Sequence, residues 1–118
     1  MESLGEHILI ELYKCDKELI DNSKLLETIM LKAADIANAT VVKSVFHNFS
    51  PQGVTGVIVV EESHFAIHTW PEHNYAAVDL FTCSEDMNYD AAYKFLEKEL
   101  KAERSSFTKV LRGEKKFL

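Results

Sequence analysis

Between Thr40 and Cys83 the chain carries four β-forming runs joined by segments too short to hold a helix, and this dictates an antiparallel sheet. Thr40 to Phe49 is rich in β-branched and aromatic residues. Ser50-Pro51-Gln52-Gly53 is a turn signal. Val54 to Glu61 and Phe65 to Trp70 follow as strands, with residues 62 to 64 at their junction. Pro71 to Asn74 makes another turn and Tyr75 to Cys83 another strand. A parallel pair needs a crossover of a dozen residues or more; these connections are shorter, so each strand must fold back beside the last.

The flanks supply the rest of the domain. His7 to Tyr13 places Ile8, Ile10 and Leu12 on one parity and reads as a strand. Asp21-Asn22-Ser23 offers N-cap candidates for a helix that carries Leu25, Leu26, Ile29, Met30, Ala33 and Ala34 at helical spacing and ends near Asn38. A second amphipathic helix is predicted from about Asn88 to Ala102, with Ala92, Phe95, Leu96 and Leu100 inward. Phe107 to Leu111 is a candidate last strand. The expected architecture is one α+β domain over residues 1–118: a two-layer sandwich, mainly antiparallel sheet, with two helices on one face. The other face then needs cover, and a second copy of the chain is the obvious source. The chain is expected to form a homodimer through its sheet side.

Composition narrows the function. A chain of 118 residues that is 47% hydrophobic can build one small core. A net charge of -6 and a pI near 5.3 argue against a nucleic-acid or anionic-membrane partner, both of which want a basic face. The start, Met1-Glu2-Ser3-Leu4-Gly5-Glu6, lacks the features of a signal peptide, and no apolar run approaches the ~20 residues of a spanning helix. A cytoplasmic location is expected, with Cys15 and Cys83 as free thiols.

The chemistry concentrates in Glu61-Glu62-Ser63-His64-Phe65-Ala66-Ile67-His68-Thr69-Trp70-Pro71-Glu72 and Tyr75-Ala76-Ala77-Val78-Asp79-Leu80-Phe81-Thr82-Cys83. Taken singly these residues have ordinary readings: Ser63 a loop serine, His68 a hydrogen-bonded core histidine, Cys83 a small buried hydrophobe, Phe49 plain core, Glu72 a solvated turn acid. His64, His68 and His73 invite a metal reading. On an extended strand, however, residues 64 and 68 lie about 13 Å apart, too far to share a zinc ion. No metal site is expected.

Taken together, the run resembles the small prokaryotic S-adenosylmethionine decarboxylases, densely over residues 54–83 and more loosely from Gly5-Glu6-His7 to Arg112-Gly113. The resemblance implies a proenzyme that cuts its own backbone between Glu62 and Ser63. The Ser63 hydroxyl attacks the Glu62 carbonyl, an ester forms and is eliminated, and position 63 becomes a covalent pyruvoyl group heading the second fragment. Residues 1–62 would form the β chain and residues 63–118 the α chain. The resemblance makes His68 the base that removes the Ser63 α-proton and Cys83 the acid that protonates the decarboxylated substrate. Thr55 stands where the family usually carries a serine that assists processing. Phe49 matches an aromatic that stacks on adenine, Glu72 a carboxylate that holds the ribose hydroxyls, and Phe65 a position close to the substrate pocket. A pyruvoyl ketone forms a Schiff base with a substrate amine and acts as an electron sink. The implied activity is decarboxylation of S-adenosylmethionine to an aminopropyl donor for spermidine synthesis.

Three departures bear on the substrate: His73-Asn74 in place of an aromatic-glycine turn, Ser84 in place of a glycine, and Phe65 in place of a smaller aliphatic residue. Phe65 and the altered 73–74 turn motivate an alternative in which the same machinery decarboxylates L-ornithine or L-arginine, and the retention of Phe49 and Glu72 argues against it. Two further readings stand behind these. A thiol hydrolase would use His68 with Cys83, and a non-catalytic interaction protein would have no use for Ser63, His68 and Cys83 together.

Overall fold

A computed structural model describes residues 1–118. The strands are β1 (Ser3–Tyr13), β2 (Val41–Asn48), β3 (Val54–Val60), β4 (Ser63–Trp70), β5 (Tyr75–Thr82) and β6 (Arg104–Glu114). The helices are α1 (Ser23–Ile36) and α2 (Tyr89–Glu99). All six strands form one antiparallel sheet in the order β2-β3-β4-β5-β1-β6. The expected α+β architecture is therefore present. β1, first in sequence, is inserted between β5 and β6.

Both helices cover one face. α1 lies on β2 and β3 and against α2, which also reaches β1. The Asn22 side chain caps α1 by accepting the Leu25 N–H at 3.0 Å, and Asn88 does the same for α2 with Ala91 at 3.1 Å. Strand alternation sends Ile8, Ile10, Leu12, Val54, Ile58, Val60, Phe65, Ile67, Val78 and Leu80 under the helices, all essentially unexposed. The opposite face differs. Leu9, Val45, Val57, Val59 and Val110 all leave it exposed, an apolar surface that an isolated domain would hold in water.

The main differences from the sequence reading lie at strand ends. β1 and β6 are each 11 residues long, well beyond His7–Tyr13 and Phe107–Leu111. The two strands pair along nearly their whole length, so polar residues such as Ser105, Ser106 and Arg112 enter the ladder on backbone bonds that side-chain pattern does not report. β4 starts at Ser63 itself: Val60 pairs with Ser63, which reduces the junction to Glu61 and Glu62. Phe95 is half-buried, beside fully buried Ala92, Leu96 and Leu100.

Candidate active site

The β3–β4 hairpin turns on two residues, and the second is strained. Glu62 has φ +63°, the left-handed region that a non-glycine residue enters at a cost of about 1–2 kcal/mol. The Glu61 N–H donates to the Thr40 carbonyl at 2.9 Å, tying the turn to the segment that leads into β2. The Ser63 hydroxyl folds back toward the turn and donates to the Glu61 carbonyl at 3.5 Å. Ser63 is paired on its other side with Thr82, the residue before Cys83. The buried Thr82 Oγ1 accepts the Ser84 N–H at 2.9 Å and so fixes the bend that carries Cys83. A cleft of about 460 Å³ opens here, lined by Asn38, Thr40, Glu61, Glu62, Ser63, Ser84 and Met87.

Four of the other expected residues gather at the opposite end of the sheet. Thr55 and His68 face each other across the β3–β4 ladder, and Thr55 Oγ1 lies 3.1 Å from His68 Nδ1. That contact fixes the plane of the imidazole. Phe49 follows β2; its N–H donates to the Gly53 carbonyl at 2.7 Å and closes the loop. Its ring meets His47 edge-on at 4.6 Å and is 49% exposed, so the plain-core reading of Phe49 does not hold. Glu72 sits in a short 3-10 turn opened by Pro71. Phe49, Thr55, His68 and Glu72 share a second cleft of about 260 Å³ with Trp70. In the turn that follows, Asn74 takes a left-handed φ of 52°, a conformation asparagine tolerates better than most residues.

Within one chain the two groups do not meet. Ser63 and His68 are five residues apart on a straight strand, or roughly 16 Å. Strand alternation also places their side chains on opposite faces, Ser63 toward the helices and His68 outward. His68 and Cys83 likewise occupy opposite ends, so no thiol–imidazole dyad exists in a single chain. No three His, Cys, Asp or Glu side chains converge in a way that could hold a metal ion.

Phe65 requires a correction. Placed at the substrate pocket by resemblance, it is 0% exposed and packs in the core between its ladder partners Ile58 and Leu80. Position 65 has the parity of the helix-covered face, and burial there stabilises the fold by about 1.5–3 kcal/mol. Its side chain does not reach the surface of the chain.

The thiols differ in the same way. Cys15 is 3% exposed and burial pushes its thiol up to about 11; Cys83 is exposed. Mild alkylation at pH 8 is expected to modify Cys83 alone in the folded protein and both thiols after denaturation. Peptide mass mapping reads this, and native modification of Cys15 would contradict the burial described.

The outward face also holds a polar centre. The Tyr75 hydroxyl donates to Glu11, and burial first, then that carboxylate, pushes the Tyr75 phenol well above its usual range. His7 Nε2 stands 3.9 Å from the Asp79 carboxylate without a hydrogen bond. The sequence alone assigns no role in the site to Asn38, Trp70, Met87 or Arg112. Only the fold brings Asn38, Ser63 and Met87 to one cleft.

Known proteins resemble this chain over nearly its whole length. Residues 6–113 match the family model described as S-adenosylmethionine decarboxylase. A protein of Thermotoga petrophila named S-adenosylmethionine decarboxylase proenzyme is 52% identical over 96% of this chain and 87% of its own length. One of Thermosipho melanesiensis with the same name is 51% identical over 96% of this chain and 87% of its own. The crystal structure of the adenosylmethionine decarboxylase from Aquifex aeolicus superposes with a TM-score of 0.87 at 34% identity, covering 96% of this chain and 93% of that one. The Trypanosoma brucei AdoMetDC-delta26 monomer, 17% identical with a TM-score of 0.65, shares the fold over 86% of this chain and 44% of its own.

Proposed function

Because the chain belongs to the S-adenosylmethionine decarboxylase family, we propose that it is a carboxy-lyase that matures by cutting itself between Glu62 and Ser63 and then decarboxylates S-adenosylmethionine. The observation that carries the cleavage step is the left-handed Glu62 immediately before a serine whose hydroxyl turns back on the loop. Strain at the bond to be broken is released when it breaks. Ser63 Oγ adds to the Glu62 carbonyl carbon and the Glu62–Ser63 amide bond gives way to an ester, freeing the Ser63 amine. Removal of the Ser63 α-proton then expels the Glu62 carboxylate, the new C-terminus of residues 1–62. The alkene left at position 63 takes up water and loses ammonia. A pyruvoyl group at position 63 would supply an electron sink for decarboxylation of an amine-bearing substrate.

The other residues bind substrate and move protons. His68, held by Thr55, takes the Ser63 α-proton. Cys83, next to the ladder partner of Ser63, returns a proton to the carbon that lost carbon dioxide. Phe49 stacks on the adenine and Glu72 accepts from the ribose hydroxyls.

Distance keeps His68 from Ser63 of the same chain, and because the proton removed is on the Ser63 α-carbon, at the backbone rather than on the inward hydroxyl, a second copy can supply the base across the outer face. The exposed apolar outer sheet supports a homodimer built face to face. With the two-fold axis running across the strands, one end of each sheet lies over the other end of its partner. Ser63 and Cys83 of one protomer would then meet Thr55, His68, Phe49 and Glu72 of the other, twice per dimer. Burial of Phe65 removes one of the motives for a basic amino-acid substrate.

Denaturing mass measurement tests the cut. Two fragments of 62 and 118 − 62 = 56 residues are expected, the second carrying a ketone in place of its serine amine. Carbon dioxide released from carboxyl-labelled S-adenosylmethionine tests the substrate. A chain that stays whole on long incubation would end this proposal, and release from ornithine or arginine alone would replace its substrate.

A further inference from the structure

Arg112 stands on the outward face at the Cys83 end of the sheet. It pairs with Gly5 across the β1–β6 ladder. Glu6 pairs with Thr82, so the antiparallel register continues with Gly5 level with Cys83. Arg112, Gly5 and Cys83 thus form a row, with the two outer members about 10 Å apart at their α-carbons. The middle position has no side chain. A Cβ on Gly5 would lie 3.1 Å from Phe81 Cζ and 3.1 Å from the Thr82 carbonyl. The missing side chain leaves the guanidinium free to cross β1, and its Cζ rests 5.7 Å from the centre of the Phe81 ring. Phe81 is itself held by His64, stacked at 5.5 Å, and by His7, edge-on at 5.6 Å.

This cation has no counter-ion. Lys109, three residues earlier, is committed to Glu6 at 3.5 Å, and no carboxylate lies within ion-pair distance of Arg112. The other outward cations are remote: Arg104 is eight residues along β6, about 26 Å away, and Lys43 is on β2 at the far side of the sheet. A planar, permanently charged fork held on an aromatic ring and left unpaired is suited to a carboxylate.

Building on the function proposed above, we propose that Arg112 anchors the α-carboxylate of the substrate beside Cys83. The contact is strongest in the bound substrate and fades as the carboxylate leaves. Its loss therefore falls on KM, with kcat held or raised.

Arg112→Gln tests this in the processed enzyme. Its KM for S-adenosylmethionine is expected to rise roughly 10- to 100-fold, the range for a charge-assisted hydrogen bond. Inhibition by decarboxylated S-adenosylmethionine, which lacks the carboxylate, is expected to be unchanged. Arg112→Lys is expected to recover part of the loss, and Phe81→Leu, which keeps the charge and removes its support, to raise the same KM. An unmoved KM would overturn the proposal. So would an equal loss of affinity for substrate and decarboxylated product, or a variant that sediments as a monomer, since Arg112 would then brace the fold or the dimer. A wild-type protein that releases no carbon dioxide would instead overturn the function reading, which separates the two failures.

Discussion

Ser63→Ala is expected to leave one uncut chain of 118 residues and no decarboxylation above background, because the serine is both the nucleophile of the cut and the source of the ketone. Structure is not at stake. Ser63 is half-buried at the end of β4, and its hydroxyl makes only the long contact to Glu61. The substitution is therefore expected to change stability by no more than about 0.5 kcal/mol. Intact mass after prolonged incubation, a labelled carbon dioxide assay and a melting curve read the three quantities. A Ser63→Ala protein with wild-type activity would exclude a cofactor made from this residue.

The second large effect needs two variants together. His68→Ala is expected to stall with its ester formed and not eliminated, so that hydroxylamine nicks the chain at position 62. Ser63→Ala cannot form the ester. Neither cuts alone. If the site spans two protomers, co-refolding equal amounts gives mixed dimers in which the intact His68 of one chain faces the intact Ser63 of the other. About half of the His68→Ala chains fall in such dimers by random pairing, and those are expected to be cut and to carry the ketone. Mass spectrometry identifies which chain was processed. If His68→Ala chains stay whole in the mixture, His68 does not act across the interface, and the division of labour proposed here is wrong.

The strand–turn pattern from Thr40 to Cys83 was legible because period-2 burial, the Pro51 and Pro71 turns and β-branched residues all point the same way. The helix caps Asn22 and Asn88 were legible for a local reason, since a cap acts on a backbone N–H three residues away. The full length of β6 was not, because backbone pairing with β1 recruits residues whose side chains carry no strand signal. In the site, Phe49, Thr55, His68 and Glu72, named by resemblance from distant stretches of the chain, line one cleft. Phe65 shows its limit: a position near a site in sequence was taken for a lining residue, whereas parity sends its side chain into the core. The same parity separates Ser63 from His68, and Gly5 lets Arg112 reach Phe81 only across a ladder that joins the two ends of the chain.

The place of β1 in the sheet has a consequence for the life of the mature protein. The proposed cut leaves β1, β2 and β3 on one fragment and β4, β5 and β6 on the other, yet the sheet runs β2-β3-β4-β5-β1-β6. The fragments alternate, sharing the β3–β4, β5–β1 and β1–β6 ladders, so neither can leave while the sheet persists. Before the cut, unfolding is a first-order event and the tether at residues 61 and 62 guides the return. After it, two separate polypeptides must find each other and thread one strand between two of the other's, a second-order process with a steep dilution penalty. The precursor is the form that can learn its shape; the mature form can only keep it.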